Sequence, residues 1–75
     1  MPRIVPLDSD LLAAVFRKAG YEVSRISGDH IIMAKKGSPR PLVIPKKKSV
    51  PVFVILNNLR IAGISRDEYL RLLQA

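Results

Sequence analysis

The sequence predicts an α+β domain in which helices pack on one face of a three-stranded antiparallel meander. Three observations predict it. Asp8 to Gly20 carries an amphipathic helix with both ends marked. Two short turns, Ser27-Gly28-Asp29 and Lys36-Gly37-Ser38-Pro39, then separate short apolar runs rich in β-branched residues. Finally, Ser65 and Glu68 have the spacing of a capping box before a last apolar stripe. At 75 residues, one domain covering residues 1–75 is the expected organisation.

The elements follow in order. Asp8 is placed to accept orphan backbone N–H groups and to complement the positive helix end. Leu11, Leu12, Val15, Phe16 and Ala19 share one helical face, and Gly20 suits the position after the last turn. Tyr21 to Ile26 reads as a strand with Tyr21 and Val23 on one side, Glu22 and Ser24 on the other. His30 to Lys35 is the second strand, and Pro41 to Pro45 the third, with proline at each end where a strand terminus tolerates it. Lys46-Lys47-Lys48 is a basic loop. Val50 to Leu56 is β-branched, which favours a strand by propensity. Pro51 suits the first helical position, however, and Gly63 suits a helix end. Val52, Phe53, Leu56 and Leu59 form an apolar stripe, with Asn57, Asn58 and Arg60 as its polar face. A helix over Val52 to Ala62 is expected. A short last helix follows the Ser65 cap to Leu73, with the apolar residues Tyr69, Leu70 and Leu73 at helical spacing. Phe16 and Phe53 are expected in the core, and Tyr21 and Tyr69 partly so.

Thirteen Lys and Arg face six Asp and Glu, a net charge of +7. Between His30 and Arg60 there is no acidic residue. A one-signed segment of this kind attracts polyanions, and nucleic-acid backbone is the commonest. The alternative reading is a solvated surface that keeps a small protein soluble. With no cysteine and one histidine, disulfides and Cys-based zinc sites are excluded, and no metal site or cofactor is expected. Met1 to Pro6 has no apolar stretch of signal-peptide length, and no run is long enough to span a membrane, so a cytoplasmic protein is expected.

His30 is the best candidate for chemistry. It opens a strand directly after a Gly-Asp turn, where a side chain is both positioned and accessible. A lone histidine is more often structural, and Asp29 beside it points to the other face of a strand, which weakens a simple dyad. A neutral imidazole, with a reference pKa of ~6.5, can take the proton of a ribose 2′-OH. The resulting oxygen attacks the adjacent phosphorus, and nearby cations stabilise the charge that develops. Requiring a 2′-OH selects RNA over DNA. One histidine cannot serve as base and acid in one step, so a lysine or water must protonate the leaving 5′-oxygen, and a slow enzyme is expected. Arg25, Gly28, Lys35, Lys36, Arg40, Lys46, Lys47 and Lys48 are the candidate RNA contacts. With no exposed aromatic residue expected in the basic segment, recognition by shape and phosphate fits better than base stacking.

These residues resemble a known family. Phe16 to Val23, Ser27 to Ile32, Val43-Ile44-Pro45 and Leu59 to Ser65 are similar, in that order, to the HicA (YcfA-like) toxin family. The resemblance implies a double-stranded-RNA-binding-domain-like fold, α-β-β-β-α. It implies an mRNA interferase of a type II toxin–antitoxin pair, with a HicB-type antitoxin covering the active site. The family's Gly-Ser-His pattern falls on Gly28-Asp29-His30, which implies His30 as the catalytic residue. Asp29 stands in place of the family's serine, and Ile31 in place of a frequent second histidine. The resemblance also favours the helix over Val52 to Ala62.

Two further readings stand beside a His30 ribonuclease. One is a non-catalytic RNA-binding module of the same fold. The other is an interaction subunit whose apolar helix from Val52 to Leu59 docks an acidic partner.

Overall fold

The computed structural model describes residues 3–75; Met1 and Pro2 of the N-terminal segment lie outside the described residues. The elements run α1 (Ser9–Lys18), β1 (Glu22–Ser27), β2 (His30–Ala34), β3 (Leu42–Pro45), α2 (Val52–Ala62) and α3 (Arg66–Gln74). The sheet is antiparallel in the order β1-β2-β3. This is the predicted α-β-β-β-α layout with a short terminal helix.

Local chemistry explains most of the element ends. Asp8 caps α1, its carboxylate accepting from the N–H groups of Asp10 (2.9 Å) and Leu11 (3.4 Å). Gly20 follows α1 with φ +100°, a conformation that other residues rarely adopt. Ser65 Oγ accepts from Glu68 N–H (3.1 Å) at the start of α3. Lys18 Nζ donates to the carbonyls of Leu72 and Ala75, which ties the ends of α1 and α3 together. Pro51 is the extended residue before α2 rather than its first helical residue. The reason is Val50, which is held in an antiparallel bridge with Leu7.

The core is built from Leu12, Val15 and Phe16 of α1, Ile31 and Met33 of β2, Leu42 and Ile44 of β3, and Ile55 and Leu59 of α2. Tyr21 and Tyr69 are buried with them, not partly exposed as expected. Phe16 and Tyr21 meet edge to face, ring centroids 6.0 Å apart. α1 packs across β1 and β3, α3 packs on α1, and α2 runs along β3.

Two side chains and one strand depart from what the sequence predicts. Phe53 is 74% exposed and outside the core. The inward side of α2 is set by Ile55, Asn58 and Leu59, and Phe53 lies roughly 160° around the helix from Ile55. Asn58 is 2% exposed, not part of a polar outer face. Its carboxamide faces β3: the oxygen accepts from Val43 N–H (3.3 Å) and the nitrogen donates to Val43 C=O (3.2 Å). A side chain thus pairs with the outer edge of β3 as a neighbouring strand would. In β1, a bulge puts an extra residue, Ser24, between Val23 and Arg25. Strict alternation is broken there, so Val23 and Ile26, three apart, lie on the same face of the sheet as Met33 and Ile31.

Candidate functional site

His30 is exposed at the start of β2. Its neighbours Ile31 and Met33 point into the core, so His30 and Ile32 belong to the opposite face. That face is not packed against α1. Register places Ser27 of β1 on one side of His30 and Pro45 of β3 on the other. The next row on this face is Arg25, Ile32 and Val43, with Arg25 exposed and Val43 44% exposed.

The hairpin between β1 and β2 has a two-residue loop, Gly28-Asp29. Gly28 has φ +58° and Asp29 does not have positive φ. A glycine of positive φ at the first loop position is what a type II′ turn requires. The task the structure shows for Gly28 is therefore conformational, setting the angle at which His30 emerges.

The three-lysine loop is fixed by its backbone. Lys46 N–H donates to Asp29 C=O (2.6 Å), directly beside His30. Lys47 N–H donates to Ser9 Oγ (3.2 Å), and Ser9 N–H donates to Lys47 C=O (3.0 Å). The buried Ser9 thus joins the loop to the start of α1. Val50 and Leu7 close the loop with a pair of backbone hydrogen bonds. The side chains of Lys46, Lys47 and Lys48 are exposed, so three positive charges are held on an ordered backbone at the His30 end of the sheet.

The remaining candidates are at the other end. Lys35 follows β2, five residues from His30, which is roughly 17 Å at the rise of a strand. Its ammonium donates to Ala19 C=O (3.0 Å) at the end of α1 and lies 5.7 Å from the centre of the Tyr21 ring. It therefore stabilises the negative end of α1 and makes a cation–π contact. Lys36 is exposed beside it, and Arg40 is exposed beyond the β2–β3 turn. The structure thus separates the basic candidates into two groups. Lys46 to Lys48 gather at His30 with Gly28, and Arg25 is one row away. Lys35, Lys36 and Arg40 gather at the opposite end.

Ser27 is a residue the sequence reading missed. Its hydroxyl-bearing side chain is exposed beside His30. The signal was present: a two-residue hairpin loop makes its flanking residues, Ser27 and His30, a facing pair.

Among the described residues, no three His, Cys, Asp or Glu side chains gather as a metal-binding group. Among the same residues, no helix is long and apolar enough to cross a membrane. No curated protein and no solved structure matches the chain. A family model described as the HicA toxin of bacterial toxin–antitoxin systems matches residues 10–64, from α1 to the residue before the Ser65 cap, and includes the whole sheet.

Proposed function

The chain belongs to the HicA toxin family, the toxin half of bacterial toxin–antitoxin pairs, and from that premise we propose that it is a metal-independent mRNA endoribonuclease with His30 as general base. The observation that carries this reading is the arrangement at one sheet end. An exposed imidazole on the open face sits beside a loop of three lysines whose backbone is pinned to Asp29.

In the proposed reaction, a neutral His30 takes the proton of a ribose 2′-OH. The 2′-oxygen forms a bond to the adjacent phosphorus, and the bond from phosphorus to the 5′-oxygen breaks. A 2′,3′-cyclic phosphate remains on one fragment, and the other leaves with a 5′-OH. The leaving oxygen takes its proton from a lysine of the 46–48 loop or from water. The same lysines stabilise negative charge as it builds on the phosphate oxygens. Arg25 extends the positive surface along the open face. The protein works on cytoplasmic mRNA, and its inhibitor is a HicB-type antitoxin that covers His30.

The test is cleavage of a labelled RNA in EDTA, beside His30→Ala and beside the same strand carrying deoxyribose at the cut site. Cleavage by the parent alone, on the ribose strand alone, is expected. His30 is exposed, so the variant keeps its fold, with a stability change of no more than about 0.5 kcal/mol. Equal cleavage by parent and variant would remove His30 from the mechanism.

One observation favours a second reading, a non-catalytic RNA-binding module. Asp29 is exposed next to His30, and a carboxylate there repels a phosphate. On that reading neither protein cleaves, and salt-sensitive RNA binding persists in both.

A further inference from the structure

At the sheet end away from His30, the β2–β3 turn, the residue preceding β1 and the end of α2 enclose an open pocket of about 280 Å³. We propose that this pocket is a phosphate-binding site, formed by Tyr21, Lys35, Lys36 and Ser38.

Its donors are arranged for an oxyanion. The Tyr21 hydroxyl and Ser38 Oγ are 3.2 Å apart, and one donates to the other. Two hydroxyls carry two hydrogens, so this bond uses one and leaves the second to donate. The Lys35 ammonium has three donors. One is used on Ala19 C=O, and the side chain is held in place by that bond and by the Tyr21 ring. Lysine normally gives up much rotamer freedom when it binds a ligand; here that freedom is already restricted. Lys36 is exposed and adds a second positive charge. No carboxylate lines the pocket. Gly37, between Lys36 and Ser38, has φ +88°, a turn conformation that other residues rarely adopt. A tetrahedral anion with several acceptor oxygens suits two ammonium groups and a hydroxyl better than a neutral ligand or a cation does.

The phosphate has two possible sources: the backbone of an RNA strand whose other part lies at His30, or a free phosphate or mononucleotide. The first source rests on the RNA-binding reading above; the pocket itself does not.

Amide and side-chain NMR of the full chain titrated with inorganic phosphate reads the site directly. Shifts concentrated at Lys35 to Ser38 and at Tyr21 are expected. They are expected to be absent from Lys36→Gln/Ser38→Ala and weakened in Tyr21→Phe, which keeps the ring that packs on Phe16. The second arm measures RNA binding in a His30→Ala background. A loss of about tenfold on adding Lys36→Gln/Ser38→Ala, the size expected for charge-assisted hydrogen bonds, identifies the RNA backbone as the source. Pocket-specific phosphate shifts with unchanged RNA affinity identify a small phosphate ligand instead. Phosphate shifts spread evenly over all the lysine-bearing surfaces, or unaltered in the double variant, would overturn the site whether or not the protein cleaves RNA.

Discussion

Phe16 and Phe53 are the chain's two phenylalanines, and their surroundings are opposite. Phe16 is fully buried against Tyr21, while Phe53 stands in solvent near the start of α2. Replacing Phe16 with Ala removes a core ring and leaves a cavity, a change of about 3–5 kcal/mol. That is much of the stability a domain of this size has. Phe53→Ser, on the outer side of the helix, is expected to shift stability by less than about 0.5 kcal/mol. Urea unfolding of both variants checks this, and a large loss for Phe53→Ser would mean that the ring is packed in solution. Hydrophobicity alone did not separate the two rings. Phe16 lies on a stripe with polar residues opposite, whereas Val52 to Leu56 is apolar on every side, so the inward direction of α2 depends on its partner. Lys35 teaches the same point for charge. Its position in a basic segment was legible, but not its bond to Ala19 C=O, which depends on where α1 ends.

At the scale of elements, the informative contact is between α2 and β3. The outer edge of β3 would present a bare N–H and C=O at Val43, an invitation to pair with another chain. Asn58 fills both with one carboxamide, and its nitrogen also donates to Val54 C=O (3.1 Å) one turn back. Asn58→Leu removes these bonds and leaves the part-buried N–H and C=O of Val43 without their partner, at a cost of about 1–2 kcal/mol. Asn58→Asp keeps the acceptor for Val43 N–H but turns a donor into an oxygen facing two carbonyls. The introduced carboxyl is buried, which disfavours its charged form and raises its pKa in the folded state. Its protonated form has an O–H to donate, so Asn58→Asp is expected to be more stable at about pH 4 than at pH 7, relative to the parent at each pH. Asn58→Leu should show the same deficit at both. Denaturant midpoints at the two pH values decide it; a pH-independent Asn58→Asp deficit would mean that the carboxyl reaches water. The hairpin, the helix caps and the order of elements were legible because glycine, proline and capping residues act locally. The bulge at Ser24 and the role of Asn58 were not, since each is defined by a partner strand or helix distant in sequence.

For the molecule as a whole, the question is whether its charge of +7 acts as a diffuse cloud or as a shaped surface. The fold argues for shape. α3 packs on α1 and so lies away from the open sheet face, yet it carries exposed Arg66 and Arg71. Lys46 and Lys47 sit beside His30 on a loop tied to Asp29 and Ser9. Two double variants therefore remove equal charge from different places: Lys46→Gln/Lys47→Gln and Arg66→Gln/Arg71→Gln. Each phosphate neutralised in a single strand contributes about 0.7 to the slope of log affinity against log salt. In the His30→Ala background, the lysine pair is expected to lower that slope by about 1.4, and the arginine pair to leave it near the parent value. Long-range attraction should fall equally in both, since the net charge changes equally; it will appear as a similar slowing of association at low salt. Equal slope losses would mean that RNA samples the whole surface, and His30 would then have no privileged strand of phosphates to work on. A loss confined to the lysine pair would place the RNA backbone at the imidazole before any cleavage is measured.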